Sequence, residues 1–201
     1  TTDEAGTPRF DKRNSQGLTE FGIEMIQEME RLGMIVDVSH LSDGGFWDVL
    51  HHTTQPFVAS HSDAASECNV CRNLTDDMIR ALADRGGVMG LNYCHGFLTE
   101  SDKPAALSTD TSIFMDARKQ TKKISRMEDM VRHIKHIVNI GGVEVCGLGS
   151  DFDGINNSVE FGNASGVQQL YEALVKSGFS EDDADKIFYK NVLRVYQDVL
   201  K

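Results

Sequence analysis

Several features that would define other classes of protein are absent from this sequence of 201 residues. No apolar run reaches the roughly 20 residues that a helix needs to cross a bilayer. The segment 1–15 is polar and contains no apolar core of the kind found in signal peptides. We therefore expect no signal or transmembrane segment within this chain. If the gene product has a targeting segment, it lies upstream, so the compartment stays undetermined.

Positive charge is also scarce, because 20 Lys and Arg stand against 31 Asp and Glu, for a formal net charge of −11. Nucleic acids and anionic membranes are themselves polyanions, and this balance argues against both as partners. The hydrophobic fraction of 40% and the charged fraction of 25% are ordinary for a globular domain. The length suffices for one domain or for a substantial piece of a larger one.

Cysteine is too sparse for a disulfide scaffold, with 4 residues in the chain. Cys94 and Cys146 lie in apolar, strand-like runs, which predicts buried thiols. Cys68 and Cys71 have the spacing of a zinc-binding or redox pair. No second Cys/His pair is near them, and the motif does not open a helix after a strand. We interpret them as two loop cysteines that can form a disulfide.

What the sequence does contain is a repeated alternation of helices and short apolar strands from Gly17 onward. Thr19, Thr75 and Ser180 are suited to cap helices, and another helix is predicted from about 126 to 140. Four apolar runs predict strands: 34–39, 56–60, 88–93 and 143–149. Residues 1–16 are predicted to be an irregular lead-in, and about 96–125 an insertion or long loop.

Strands that are apolar throughout are typical of parallel sheets covered by helices on both faces. A (β/α)8 barrel needs eight strands and about 250 residues, so four units would make half of one. An open doubly wound sheet is the alternative, although no glycine-rich phosphate loop follows any strand. We predict an α/β fold in which residues 17–201 supply the carboxyl-terminal half of a TIM barrel.

Chemically active side chains follow three of the predicted strands: His40, His61 and Asp151. Active sites of parallel barrels lie at the carboxyl ends of the strands, where such side chains can meet. Neutral imidazole and carboxylate are standard zinc ligands, and a catalytic zinc acidifies its bound water. A neighbouring carboxylate can then move a proton. The alternative for each histidine is a hydrogen bond to a neighbouring loop.

Arg72 lies in the loop after the second strand, and its fixed fork of donors suits the free carboxylate of a short peptide. The alternative is a surface salt bridge. His95 follows the third strand and is a further pocket candidate. Asp153 and Gly154 form a dipeptide typical of a turn. The other histidines lie on predicted helices and are expected at the surface: His51, His52, His133 and His136.

Several of these motifs together resemble the renal (membrane) dipeptidase family of zinc metallopeptidases. They occur in the family's order: 17–22 (GLTEFG), 28–40 (EMERLGMIVDVSH), 56–62 (PFVASHS), 72–76 (RNLTD), 147–154 (GLGSDFDG) and 191–195 (NVLRV). The resemblance implies a (β/α)8 barrel of the metal-dependent hydrolase type. It also implies two zinc ions that are bridged by a glutamate and a water.

The resemblance further implies that a zinc-bridging hydroxide attacks the peptide carbonyl of a dipeptide, often one with a D-residue at its carboxyl end. His40 and His61 match the two histidines that hold one zinc. Arg72 matches the arginine that binds the substrate carboxylate. Asp151 matches the acid that engages the substrate's amino group and moves protons, and is thus both catalytic and substrate-binding.

The sequence departs from the family in one respect, because the family's other zinc is held by a His-x-Asp pair near the amino terminus. No His-x-Asp occurs here and no histidine precedes His40. The glutamates of the first helix do not lie at a strand end, so none is a convincing bridge. The chain is therefore a fragment of a longer enzyme, is completed by another chain, or is a degenerate relative.

Two other functions stay open. The first is a related barrel amidohydrolase that acts on another amide, a lactam or a small ester. The second is a catalytically incomplete family member that acts as a binding protein. Since half a barrel would leave two open sheet edges, we expect a homo-oligomer or a requirement for the missing amino-terminal half.

Overall fold

The computed structural model describes residues 16–99, 124–155 and 158–200. Helices and short strands alternate over most of this part of the chain. The elements are α1 (Glu20–Arg31), α2 (Asp43–His52), β1 (Val58–Ala59), α3 (Asp76–Asp84), β2 (Val88–Asn92), α4 (His95–Leu98), β3 (Ile124–Ser125), α5 (Met127–Gly141), β4 (Cys146–Ser150), β5 (Ser158–Val159), α6 (Gln168–Lys176), α7 (Glu181–Asp185) and α8 (Asn191–Val199). A π-helical turn, Lys186–Lys190, joins α7 to α8.

Side-chain caps fix the starts of three helices, as the sequence predicts. The hydroxyls of Thr19, Thr75 and Ser180 each accept a hydrogen bond of 3.1 Å from the backbone N–H three residues on. Each bond satisfies one of the donors that a helix leaves without a partner in its first turn. The predicted starts of α1, α3 and α7 are confirmed.

The central sheet is parallel, with strand order β1-β2-β4. The first predicted strand, 34–39, continues this sheet beyond β1 but is reduced to one bridge, between Asp37 and Val58. Val38 N–H donates to Val58 O at 2.8 Å, and Val58 N–H donates to Val36 O at 2.9 Å. Consecutive units along the chain are therefore neighbours in space, and their carboxyl ends share one edge.

The fourth predicted strand begins later than the apolar pattern indicates. Val143–Val145 forms a 3-10 turn, and β4 begins at Cys146. The side-chain amide of Asn191 donates to Val143 O at 2.7 Å and to Cys146 O at 2.8 Å. This amide from α8 satisfies carbonyl groups at the turn, so a long-range contact replaces strand pairing there. The pattern also gave no indication of α6 or of the small β3–β5 sheet.

The core lies between the central sheet and the helices that cover it. All five residues of β2 are buried. The helices α3, α5 and α6 each present an apolar stripe of residues spaced three or four apart, which is the periodicity of one helix face. The fully buried members of these stripes are Ile79, Leu82, Met130, Ile134, Ile137, Leu170 and Leu174.

The expected surface position of His133 is wrong, because its side chain is 0% exposed. Ala64 N–H donates to His133 Nδ1 at 3.2 Å, so Nε2 carries the proton and donates to Leu98 O at 3.0 Å. Burial of the ring lowers the pKa of His133 to about 4. His136 is also half-buried and contacts two carboxylates. The two histidines of α2 are exposed, as expected.

Two predicted segments fall mainly outside the described residues. The lead-in at 1–16 covers the undescribed residues 1–15, and the loop at about 96–125 covers 100–123. The flanks of that loop contribute to α4 and β3. Over the ranges that the structure describes, no helix is both long and apolar enough to span a membrane.

Burial of His133 predicts that the protein loses stability in mild acid. The folded-state pKa of about 4 lies below the ordinary histidine value of 6.5. Below pH 6.5 the unfolded chain therefore binds a proton that the folded chain does not, and the free energy of unfolding falls until about pH 4. We expect His133→Gln to reduce this slope, measured by urea unfolding between pH 4 and 7. An unchanged slope would contradict the assignment, and His51→Gln serves as the exposed control.

Candidate metal and substrate site

The carboxyl edge of the sheet is held together by close backbone approaches. A Cβ on Gly90 or on Gly149 would clash with the carbonyl oxygen of Ser60, and one on Gly90 would also lie 2.8 Å from Gly149 Cα. Pairing of β2 with β4 is irregular between Leu91 and Asn92, where β4 has one extra residue. Such a bulge re-aims the side chains that follow it. Glycine is required here because any larger residue would separate the strand ends.

The segment after β4 turns sharply through left-handed backbone. The φ angles are 46° at Ser150, 63° at Asp151 and 69° at Asp153, although none of these residues is glycine. Gly154 N–H donates to Asp151 O at 3.1 Å and closes the turn predicted for Asp153 and Gly154. Residues held in this region cost free energy and are concentrated at functional sites.

The structure brings His40 and His61 together at this edge. Their Nε2 atoms lie 2.8 Å apart, and the ring centroids are separated by 4.8 Å. Burial, followed by the positive charge of Arg72, lowers the pKa of His40. These effects favour the neutral imidazole, which is the form that binds metals.

A chain of hydrogen bonds orients the ring of His61. The Ser60 hydroxyl donates to Asp37 Oδ2, since a carboxylate can only accept. His61 Nδ1–H must then be the donor to Ser60 Oγ, at 2.7 Å. Its Nε2 is left with a lone pair directed at the site. Desolvation raises the pKa of Asp37, but hydrogen bonds from Ser60 and Ser39 outweigh it and lower the pKa.

Arg72 lies beside this pair. Its Nη2 is 3.4 Å from His40 Nε2, and its Cζ lies 5.5 Å from the centre of the Phe97 ring. Its Nη1 is buried and has no hydrogen-bond partner among the described residues. Burial lowers the pKa of Arg72, opposed by the nearby charge of Asp151. The Arg72 side chain is thus half-buried and forms no salt bridge with the described residues.

Asn92, the last residue of β2, bonds the carboxylate of Asp151, and the sequence alone did not single it out. Asn92 Nδ2 donates to Asp151 Oδ2 at 3.0 Å and to His61 O at 3.4 Å. Asn92 N–H donates to Oδ1 of the fully buried Asp63, at 2.9 Å. Burial raises the pKa of Asp63 well above that of an ordinary carboxyl group. Asp37, Ser60 and Asn92 are polar residues at the ends of apolar strands. That position in the sequence could have identified them as candidates for the site.

The remaining candidates lie at the margin of the site. His95 begins α4 and is half-buried. None of the four cysteines forms a disulfide, so the pairing of Cys68 with Cys71 that their spacing left open is not made. Cys68 is buried while Cys71 is exposed. Of the two predicted buried thiols, Cys146 is buried and Cys94 is only partly so.

The donor set fits part of a metal site. His40 and His61 present two ring nitrogens to the same space, and the tautomer of His61 is fixed by a carboxylate-linked hydroxyl. Such outer hydrogen bonds are typical of histidines that bind metals. Within residues 16–99, 124–155 and 158–200, no group of three or more His, Cys, Asp or Glu side chains is arranged to hold a metal ion.

The fold places the chain among α/β proteins whose parallel strands bring the residues at their carboxyl ends to one edge of the sheet. The particular family is identified by the match of residues 2–201 to the family model of membrane dipeptidases, peptidase family M19. The chain belongs to this family, and the resemblance read from its motifs is confirmed.

Curated relatives agree with this assignment and are longer than the chain. An uncharacterized protein in the pqqA 5′ region of Klebsiella pneumoniae is 39% identical over 91% of the chain and 61% of its own length. An uncharacterized dipeptidase of Schizosaccharomyces pombe is 33% identical over 90% of the chain and 40% of its length. The dipeptidase tcpJ of Claviceps purpurea is 31% identical over 91% and 39%. The chain thus spans about two fifths to three fifths of these proteins.

Solved structures that resemble this chain are also longer than it. A metallopeptidase from Rhodobacter sphaeroides, crystallised with a phosphinate mimic of the dipeptide L-Ala-D-Ala, aligns with a TM-score of 0.80 and 28% identity. The alignment covers 96% of the chain and 50% of that structure. The probable dipeptidase PvdM from Pseudomonas aeruginosa aligns with a TM-score of 0.81 at 23% identity, over 91% of the chain and 55% of that structure, which supports the fold alone.

Because the strand ends approach so closely, adding one methyl group there should lower the stability of the protein. We expect Gly149→Ala to destabilise the protein by about 1–3 kcal/mol, because its Cβ would clash with Ser60 O. Gly96→Ala is the matched control, since a Cβ there would meet no atom of the described residues within 4 Å beyond its own chain neighbours and helix backbone. Denaturant unfolding of both variants measures the difference. Equal stability of the two would show that the strand ends do not depend on glycine.

Proposed function

We propose that the protein to which this chain belongs is a zinc-dependent dipeptidase. The observation that carries the proposal is the 2.8 Å approach of His40 Nε2 to His61 Nε2, with the Arg72 guanidinium at 3.4 Å from His40. Membership of the membrane dipeptidase family supports it. So does the alignment with a metallopeptidase crystallised with a dipeptide mimic.

We further propose that residues 17–201 form the carboxyl-terminal half of a (β/α)8 barrel. The parallel strands follow one another in the sheet in their chain order, as in a barrel of this type. The alignment of nearly the whole chain with half of the Rhodobacter structure supports this assignment. The other half would come from a longer chain or from a partner.

His40 and His61 are the proposed ligands of one of two zinc ions in the complete enzyme. A bound zinc ion supplies positive charge that polarises a peptide carbonyl and acidifies a water molecule. The lowered pKa of His40 and the hydrogen bond between His61 Nδ1 and Ser60 Oγ suit this role. The hydrogen bonds from Ser60 to Asp37 and from His61 Nδ1 to Ser60 would leave His61 Nε2 free to hold the ion.

Arg72 is the proposed binding group for the substrate's free carboxylate. Its buried Nη1 has no partner among the described residues, and an unpaired buried donor is costly unless a ligand satisfies it. The Arg72 Cζ atom lies 5.5 Å from the centre of the Phe97 ring, a distance at which the ring attracts the guanidinium cation. A planar fork of donors favours a carboxylate over a neutral amide.

Asp151 is proposed to engage the substrate's amino group and to transfer the proton. Its carboxylate receives a proton from the attacking water and delivers it to the amine that leaves. Because Asn92 Nδ2 bonds Oδ2 at 3.0 Å, Oδ1 is the oxygen that carries this proton. The bulge in β4 and the left-handed backbone of Asp151 aim the carboxylate toward β2.

If Asp151 transfers the proton, substituting it should abolish dipeptide hydrolysis without affecting zinc binding. In the complete zinc-loaded enzyme, Asp151→Asn removes the group that accepts the proton but keeps its shape. We expect dipeptide hydrolysis to fall by about 10²-fold or more, with unchanged zinc content by elemental analysis. Asp153→Asn, two residues away in the same turn, is the control. Retained turnover in Asp151→Asn would reject the assignment.

The role of Arg72 predicts selectivity for a free carboxylate. For Arg72→Ala we expect KM for a dipeptide to rise about 10- to 100-fold, because a hydrogen bond to a charged group is lost. KM for the corresponding dipeptide amide should not change. Arg80→Ala removes an exposed arginine of α3 and is the control. If the unsubstituted enzyme prefers the amide, the activity is that of an amidohydrolase on another substrate class.

A further inference from the structure

We propose that Asn92 is a positioning residue that fixes the carboxylate of Asp151 and assigns proton transfer to its Oδ1 atom. This inference rests on the proposed function, because it gives Asn92 its role through the proposed proton-transfer group. Asn92 is the last residue of β2 and is 0% exposed. It would not touch the substrate.

The orientation of the Asn92 amide follows from its own contacts. The backbone N–H of Cys94 donates to Asn92 Oδ1 at 2.7 Å. This bond identifies the oxygen side of the amide, so Nδ2 must face the opposite way. There it lies 3.0 Å from Asp151 Oδ2 and 3.4 Å from His61 O. An amide N–H can only donate, and a carboxylate can only accept, so the pairing cannot reverse.

The backbone of Asn92 is anchored as firmly as its side chain. Its N–H donates to Asp63 Oδ1 at 2.9 Å, and Asp63 is fully buried. Because hydrogen bonds hold both the backbone and the side-chain oxygen of Asn92, its amide has little freedom left to lose when it bonds Asp151. Asn92 therefore acts as a rigid support between β2 and β4.

Asp151 needs such a support because its own backbone does not hold it in a relaxed geometry. Its φ is 63°, and it follows both the bulge of β4 and Ser150, whose φ is 46°. Strained backbone of this kind persists when surrounding contacts over-determine it. The bond from Asn92 joins residues 59 positions apart in the sequence. It also links Asp151 to the backbone carbonyl of the proposed zinc ligand His61.

The substitution Asn92→Asp tests the inference with a side chain of the same shape. It keeps the acceptor for Cys94 N–H but replaces the donor to Asp151 with an acceptor. In the zinc-loaded enzyme we expect kcat to fall about 10²-fold, as for a small misplacement of a catalytic group. KM for a dipeptide should rise by a smaller factor than kcat falls, because Asp151 is also the proposed group that engages the substrate's amino group. Zinc content should stay the same. A rise in KM with unchanged kcat would overturn the inference.

Asn191→Asp is the matched control. Asn191 is also a buried asparagine whose amide donates to two backbone carbonyls, one of them at the start of β4. It lies at the opposite end of that strand from Asp151. This variant should lose stability without a fall in kcat. If both variants lower kcat equally, Asn92 has only a structural role and the inference fails.

A double-mutant cycle shows whether Asn92 acts through Asp151. If it does, Asn92→Asp should have no further effect on kcat in an Asp151→Asn background, because residues that work as a unit are not additive. Additive losses would overturn the inference.

Crystal structures of Asn92→Asp and Asn92→Ala decide the same question without turnover. The alanine variant covers the case in which two facing carboxylates prevent folding. We expect the Asp151 carboxylate to rotate away from its present position in both. An unmoved carboxylate would overturn the inference. Absence of dipeptide hydrolysis by the unsubstituted enzyme would reject the proposed function instead, while these structures still decide the role of Asn92.

Discussion

The carbonyl oxygen of Ser60 occupies the space that a side chain on Gly90 or Gly149 would need, and this backbone contact sets the dimensions of the site. His61 directly follows Ser60, and Asp151 comes two residues after Gly149. Because no side chain separates the three strand ends, the groups that follow them are brought within hydrogen-bond reach of one another. A wider spacing would leave the same residues present but unable to act together.

Around this contact the protein places polar groups where they cost stability. Ser62 Oγ, Asp63 Oδ2 and Arg72 Nη1 are buried without hydrogen-bond partners among the described residues. Native proteins leave few such groups, and each calls for a reason. All three belong to the segment that runs from the end of β1 to the start of α3. The stable core of α3, α5 and β2 supports this segment, and His133 ties α5 to it through Ala64.

Much of the fold could be predicted from local chemistry, and the misses have identifiable causes. Caps at Thr19, Thr75 and Ser180 act within one helical turn, so the sequence contains all that is needed to place those helix starts. His133 was assigned to the surface because of its residue type. Its spacing of three from Met130 and four from Ile137 puts it on the buried stripe of α5. The 3-10 turn before β4 depends on Asn191, which lies more than 40 residues away.

The sequence by itself determined the family, the alternation of helices and strands, and the residue types that follow each strand. Those are properties of short segments, whose periodicity and capping residues act over a few positions. Only the tertiary structure decided that His40 faces His61, that Asp37 fixes the tautomer of His61, and that Asn92 bonds Asp151. Each of these contacts joins residues 21 to 59 positions apart. Their geometry depends on how the strand ends approach one another, which no local pattern specifies.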